Sequence, residues 1–360
     1  MEVLRILIGS RTDPVMALQV EINPMDNQPA STAFPTTIRH LQDQASAAFA
    51  MLAGMQLEVF TQLADGPRDA TGIAAAIGVA DDRLSRLLYA LVIAGLLECH
   101  GHTFANTPEA AAFLVKGRPG YLGSIHSMLQ PIWHADIQTA HSIRSGGPAD
   151  LHDYNNSSDA DLSSLLRGLH GTAVATARDF MQRFDFSGCH SLIDVGGGSG
   201  GLVATFCDAR PDLEGTLFDL PRTVALAAPI LAETPGGNRV IIESGDILAA
   251  PPRGMHDVAV MRAFVQVFSP GDAARAIVNT AAAVRPGGKI YISGAGILDN
   301  DRLGPRPAVF YNVTFMNFYN AGASYTEAEH AAWLAAAGCA DVGRITMANG
   351  LGIIHATKIT

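Results

Sequence analysis

Apolar and polar positions divide the chain into a helical first half and an alternating second half. Residues 1–37 hold Pro, Asn and Thr without a sustained period and read as an extended N-terminal arm. From Ile38 the spacing turns helical, with Phe49, Leu52, Leu57, Phe60 and Leu63 near helical intervals until Gly66-Pro67 stops the run. A short helix over 71–77, a turn at Gly78, and a second helix opened by Asp81 or Asp82 and closed at Gly95 come next. LLECHGHTFANT is extended, with a tight turn at His100-Gly101. Helix, turn, helix and hairpin make a winged-helix pattern, assigned to residues 38–120. Residues 121–187 read as a helical connector and acceptor lid, broken by SGGPAD and HDYNNSSDADL.

From residue 188 to 360, strands alternate with helices, which predicts an α/β domain with a mainly parallel sheet. Leu192, Ile193 and Val195 form a buried strand. GTLFDL, HDVAVMRAF and KIYISG are further strands. Ser269-Pro270 is an N-cap followed by proline at the first helical position. Thr326-x-x-Glu329 is a capping box for a helix that Gly338 closes, so Glu329 reads as a cap and not a catalytic acid. Asn349-Gly350 reads as the turn of a closing antiparallel hairpin.

Composition narrows the function. The 360 residues are 48% hydrophobic, enough to bury two cores. Acidic side chains outnumber basic ones, 34 to 24, for a net charge of −10. Nucleic-acid binders need a basic face, and the second helix of the winged pattern offers only Arg83 and Arg86 beside Asp81 and Asp82. Dimerisation or a substrate lid outweighs DNA binding there. Cys99, Cys189, Cys207 and Cys339 are scattered without a metal-ligand spacing, and no apolar run suits a signal peptide or a membrane span. These features predict a soluble cytoplasmic protein without a metal site.

The run SLIDVGGGSGGLVATFCDARPDLEGTLFDLP carries the chemistry. A strand ends in Gly196-Gly197-Gly198-Ser199-Gly200 and a helix follows, so a ligand can approach main-chain N–H groups at a helix start. Asp219 ends the next strand about 20 residues on, at the position that holds ribose hydroxyls in nucleotide sites. The spacing fits a nucleotide-like cofactor without saying which one.

DVGGGSG, GTLFDLP, SGDIL, AVRPGG and YTEAEHAAWLAAAGC, in that order, resemble the S-adenosylmethionine-dependent small-molecule O-methyltransferases. The likeness is to the plant caffeate/acetylserotonin type and its bacterial natural-product relatives, from about residue 40 to the end. It implies a class I, Rossmann-like methyltransferase domain, an N-terminal helical and winged-helix dimerisation domain, and an interlocked homodimer. Asp194, Gly196 and Gly198 of the glycine run would stand at the methionine part of the cofactor. Asp219 would hold the ribose, with Leu220 beside the adenine. Asp246 and Ile247 would bond and cover the adenine, and Arg262 would reach the cofactor.

One stretch departs from the family. Where members carry Lys or Arg, three residues and then His-Asp-Trp, this chain reads Arg262, Ala263-Phe264-Val265 and Gln266-Val267-Phe268. Gln266 cannot accept the acceptor's proton, a function typically contributing about 10²–10⁴ in rate. The family's supporting carboxylates match Gly294 and Ser324. Three readings follow, the first favoured: methyl transfer to a carboxylate, an ionised phenol or an enolate carbon; non-methylating chemistry that uses the sulfonium charge; or a non-catalytic homologue. His126, His134 and His170 are alternative bases, each weighed against ordinary packing. The acceptor is expected to be small and aromatic or apolar, lined by Met128, Trp133, His170, Phe310, Phe315, Met316, Phe318 and Tyr319. Gln266 is expected to donate to its oxygen, and Asn312, Asn317 and Asn320 to add hydrogen bonds.

Overall fold

In the computed structural model of the protein, residues 34–118, 120–122, 125–347 and 350–359 are described. Most of the expected N-terminal arm and Asn349 of the expected final turn lie outside these residues. The first helix, α1 (Thr36–Gln56), does not run on to Gly66. Glu58 takes a left-handed φ of 54°, its carboxylate accepts from Lys116 Nζ at 3.0 Å, and α2 (Val59–Gln62) then turns Val59 and Phe60 fully inward. Burial of that pair outweighs continuation of one helix.

β1 (Arg68–Asp69) leads into α3 (Ala70–Ile77), whose first turn Asp69 caps by accepting from the Gly72 N–H at 2.8 Å. After α4 (Asp81–Ile93), the hairpin β2 (Leu97–His100) and β3 (Thr103–Asn106) turns at Gly101, and β3 also pairs with β1. Ile73, Leu84, Leu88, Leu91, Leu97 and Phe104 close this core. The expected helix–turn–helix–hairpin pattern is thus present. α5 (Pro108–Phe113), α6 (Ile125–Asp136), α7 (Thr139–Ser145) and the long α8 (Asp159–Arg183) follow.

The second half is a seven-stranded sheet with helices on both faces. Its elements are β4 (Ser191–Val195), α9 (Gly201–Ala209), β5 (Glu214–Asp219), α10 (Pro221–Ala232), β6 (Ile241–Ser244), β7 (His256–Arg262), α11 (Pro270–Ala282) and β8 (Val284–Gly294). There follow β9 (Ile297–Leu298), α12 (Arg306–Phe318), β10 (Tyr325–Thr326), α13 (Glu327–Ala336), β11 (Cys339–Thr346) and β12 (Gly352–Lys358). The strand order is β11-β12-β8-β7-β4-β5-β6, parallel except where β12 pairs with β8 and β11. Side chains alternate between the layers: Ile193, Val195, Ala259 and Met261 pack towards α11 and α13, while Leu192, Val258 and Val260 join α8 and α9. The Thr326–Glu329 capping box forms as expected. Among the described residues, no helix is long and apolar enough to cross a membrane.

Candidate cofactor and acceptor cavity

The carboxyl ends of β4, β5, β6 and β7 meet at a cavity of about 590 Å³. Strand order reverses there, since β5 and β7 leave β4 on opposite sides, and such switch points open a crevice in parallel sheets. The glycine run forms its floor. Gly196, Gly198 and Gly200 take φ of 66°, 57° and 73°, a region that disfavours other residues. A Cβ on Gly196 would strike the Phe264 ring, and one on Gly197 would lie 2.6 Å from the Asp194 carboxyl group. The turn is therefore clamped from above and below.

Asp219 closes the turn. Its Oδ2 accepts from the Gly198 N–H at 2.8 Å and its Oδ1 from the Leu220 N–H at 2.7 Å. Burial raises its pKa, against these bonds and one from Thr223. Leu220, Asp246, Ile247 and Arg262 share the same wall. Asp246 Oδ1 accepts from the Leu248 N–H at 2.9 Å, which shapes the loop after β6. Arg262 has no hydrogen bond or ion pair among the described residues, and burial lowers its pKa while Asp194 opposes this.

Asp194 is absent from the cavity wall. It is 1% exposed, lies under Gly197, and neither of its oxygens has a hydrogen-bond partner within 3.5 Å among the described residues. Burial pushes its pKa up to about 7, with Arg262 pulling the other way. It supports the turn from below and does not face a ligand.

The acceptor end departs more from the sequence-based expectation. Tyr319 lines the cavity; Met128, Trp133, His170, Gln266, Phe315 and Met316 do not. Trp133 meets Phe49 edge-on at 5.5 Å and joins α6 to α1. His170 turns to the back of the glycine run, with Nδ1 3.1 Å from Ser199 Oγ and Nε2 3.3 Å from Thr234 Oγ1. Thr314 and Asn317 fasten α12 to Asp136 and Thr139, so Phe315 is buried and Met316 half-buried off the wall. Phe310 is exposed beside Arg306, and Asn312 accepts from the Ser324 N–H at 2.7 Å. Of the three asparagines only Asn320 reaches the wall. His134 is exposed, and the side chain of His126 lies outside the described residues.

Gln266 sits on a single 3-10 turn, Val265–Val267, and is 9% exposed. Its side chain occupies the space beside Gly294 and Gly296, with Oε1 3.5 and 3.6 Å from where their Cβ atoms would stand. The side chain lies against these two glycines and is not on the cavity wall. Its neighbours Val267 and Phe268 face the cavity instead.

The wall opposite belongs to residues 151–156, which sequence reading treated as punctuation. The His152 N–H donates to the Phe318 carbonyl at 2.9 Å, and Arg222 donates to the carbonyls of Tyr154, Asn155 and Ser157. The hydroxyls of Tyr154 and Tyr319 stand 3.5 Å apart on the wall. The one local signal for this loop is Asp153 followed by two asparagines, since Asp153 accepts from the N–H groups of Asn155 and Asn156.

Comparison with known proteins places this geometry. Residues 135–340 match the family model of the O-methyltransferase domain, and residues 40–116 match that of the O-methyltransferase dimerisation domain. The 3-hydroxy-5-methyl-1-naphthoate 3-O-methyltransferase of Streptomyces sahachiroi is 28% identical over 326 residues, 89% of this chain and 94% of its own. An N,N-dimethyltransferase, OxyT of Streptomyces rimosus, is 31% identical over 213 residues, 56% of this chain and 61% of its own. The crystal structure of human N-acetylserotonin methyltransferase in complex with SAM superposes with a TM-score of 0.76 at 22% identity, covering 92% of this chain and 99% of that one. With more than half of its length matching the catalytic-domain model, the chain belongs to the O-methyltransferase family.

Proposed function

We propose that this chain is an S-adenosylmethionine-dependent methyltransferase acting on a small, flat, largely apolar natural-product-type acceptor. The observation that carries the reading is one continuous cavity joining the glycine turn and Asp219 to an aromatic end at Tyr319 and the 151–156 loop. The residues fit the cofactor: the main chain of the glycine turn and the Asp219 carboxylate line the same cavity, and Leu220, Ile247 and Leu248 offer an apolar adenine slot. Bound there, S-adenosylmethionine supplies an electrophilic methyl group on a sulfonium.

In this reading Gly196 and Gly198 admit the methionine part, Asp219 takes the ribose hydroxyls, and Leu220, Asp246 and Ile247 flank the adenine. Asp194 holds the turn from beneath, and Arg262 on the cavity wall reaches the cofactor. Residues 38–120 serve dimerisation, 121–187 cover the acceptor, and 188–360 hold the cofactor. The homodimer reading rests on the dimerisation-domain match and on exposed apolar side chains at the start of α1, where Phe34 just before the helix and Ile38 and Leu41 within it are more than half exposed. Four free cysteines accord with a cytoplasmic setting. The chain's work is to align an acceptor atom with the methyl carbon in a site shielded from water, which lowers the barrier to a displacement.

Calorimetric titration with S-adenosylmethionine and S-adenosylhomocysteine tests this. The unaltered protein binds both, and Asp219→Ala weakens binding by about 10–100-fold, the worth of a hydrogen bond to a charged group. A folded protein that binds neither refutes the reading. Consumption of the cofactor with an acceptor separates methylation from a non-methylating use of the same site.

A further inference from the structure

Gln266 leaves the β7 side of the cavity without a proton acceptor, so another wall must supply one or the acceptor must arrive ionised. Most titratable groups on the wall are already engaged. Asp153 accepts from the Asn155 and Asn156 N–H groups and from Asn156 Nδ2. Asp219 and Asp246 hold the backbone turns described above, and Asp272 accepts from Ser269 Oγ at 2.8 Å. Burial raises the pKa of both Tyr154 and Tyr319, so their phenols keep their protons.

His152 differs. Its ring stacks on Phe318 with centroids 3.9 Å apart and planes 21° apart, and it meets Tyr319 edge-on at 6.1 Å. With its N–H bonded to Phe318, the ring has a fixed plane at the wall. Neither ring nitrogen has a hydrogen-bond partner among the described residues. Burial lowers the imidazole pKa, with Asp150 opposing, so the ring is neutral at physiological pH and can accept a proton. The other groups near it are Asp153 and Tyr154 on its own loop and Tyr319 at the end of α12.

Resting on the methyl-transfer reading, we propose that His152 is the catalytic base, and that the acceptor is a flat molecule with a weakly acidic, un-ionised phenol or enol hydroxyl. The imidazole takes the hydroxyl proton as the oxygen lone pair forms the O–CH₃ bond. The C–S bond breaks with its electron pair staying on sulfur, which changes from sulfonium to thioether. The imidazolium then releases its proton to water, and the ring is restored.

The probes are 4-nitrophenol, whose phenolate absorbs at longer wavelength than the phenol, and 2-naphthol. With the full chain loaded with S-adenosylhomocysteine at about pH 6, below the phenol's own pKa, 4-nitrophenol binds as the neutral phenol with its hydroxyl donating to the imidazole, which moves its absorption to longer wavelength. To His152→Phe, which keeps the stack on Phe318 and offers no acceptor, it binds without that shift, while His152→Asn keeps a neutral acceptor that is no base. In turnover, kcat for 2-naphthol falls about 10²–10⁴-fold in both variants while KM holds and the acid limb of the pH profile disappears. Identical spectra, an unchanged kcat, or no 4-nitrophenol bound to cofactor-loaded protein overturns the assignment. If the unaltered protein fails to bind S-adenosylhomocysteine, the methyltransferase reading itself falls, which separates the two failures.

Discussion

Asp194 is the fourth residue of a five-residue strand that is buried throughout, and its carboxyl group has no hydrogen-bond partner within 3.5 Å among the described residues. Holding its proton to about pH 7, it is neutral in the folded protein where an unfolded carboxyl has already ionised. Between about pH 4 and 7 the unfolded chain therefore binds fewer protons, and stability falls as pH rises through that window. Asp194→Asn removes this slope and stabilises the protein at pH 8 by on the order of 2–4 kcal/mol, the linkage value of a shift of this size. Urea unfolding at pH 5 and pH 8 measures it; equal slopes for both proteins would show that Arg262 fully compensates the burial. The glycine turn and Asp219 were legible in the sequence because backbone conformation dictates those residue types. The direction of Gln266 was not, because it depends on glycines at 294 and 296, remote in sequence and packed beside it only in the fold.

Helix α8 acts as a strut between the two ends of the site. Through His170 it ties Ser199 of the glycine turn to Thr234 after α10, while Leu165, Leu166 and Leu169 of the same helix line the cavity. His170→Phe keeps the ring volume and removes both bonds, each worth about 0.5–1.5 kcal/mol. S-adenosylhomocysteine affinity is expected to drop about tenfold by calorimetry with the acceptor KM unchanged. A raised acceptor KM with intact cofactor affinity would instead restore the acceptor role that the sequence suggested. Elements with local signals were readable: the caps at Ser269 and Thr326 and the buried strands β4 and β7 appear where expected. Which face of α12 meets the acceptor was not, because tertiary bonds from Asp136 and Thr139 choose that face.

At the scale of the molecule, the order of strands and helices indicated the α/β half, whereas the partner of α1 had to be inferred from what the chain leaves uncovered. Ile38 and Leu41 are 62% and 58% exposed in the first half of a helix whose buried residues, Gly54 and Met55, lie near its other end. Replacing both with glutamate moves the protein from dimer to monomer in sedimentation velocity; a species of unchanged mass would place the subunit contact elsewhere. Gly294 bears on the engineering of the site. Its φ of 155° lies where a side chain is strained, and the space a side chain would need is shared with Gln266. A carboxylate placed at 294 would first require the strand end to be rebuilt. Engineering of a charged group beside residue 266 is therefore better begun on another element than at this strand end.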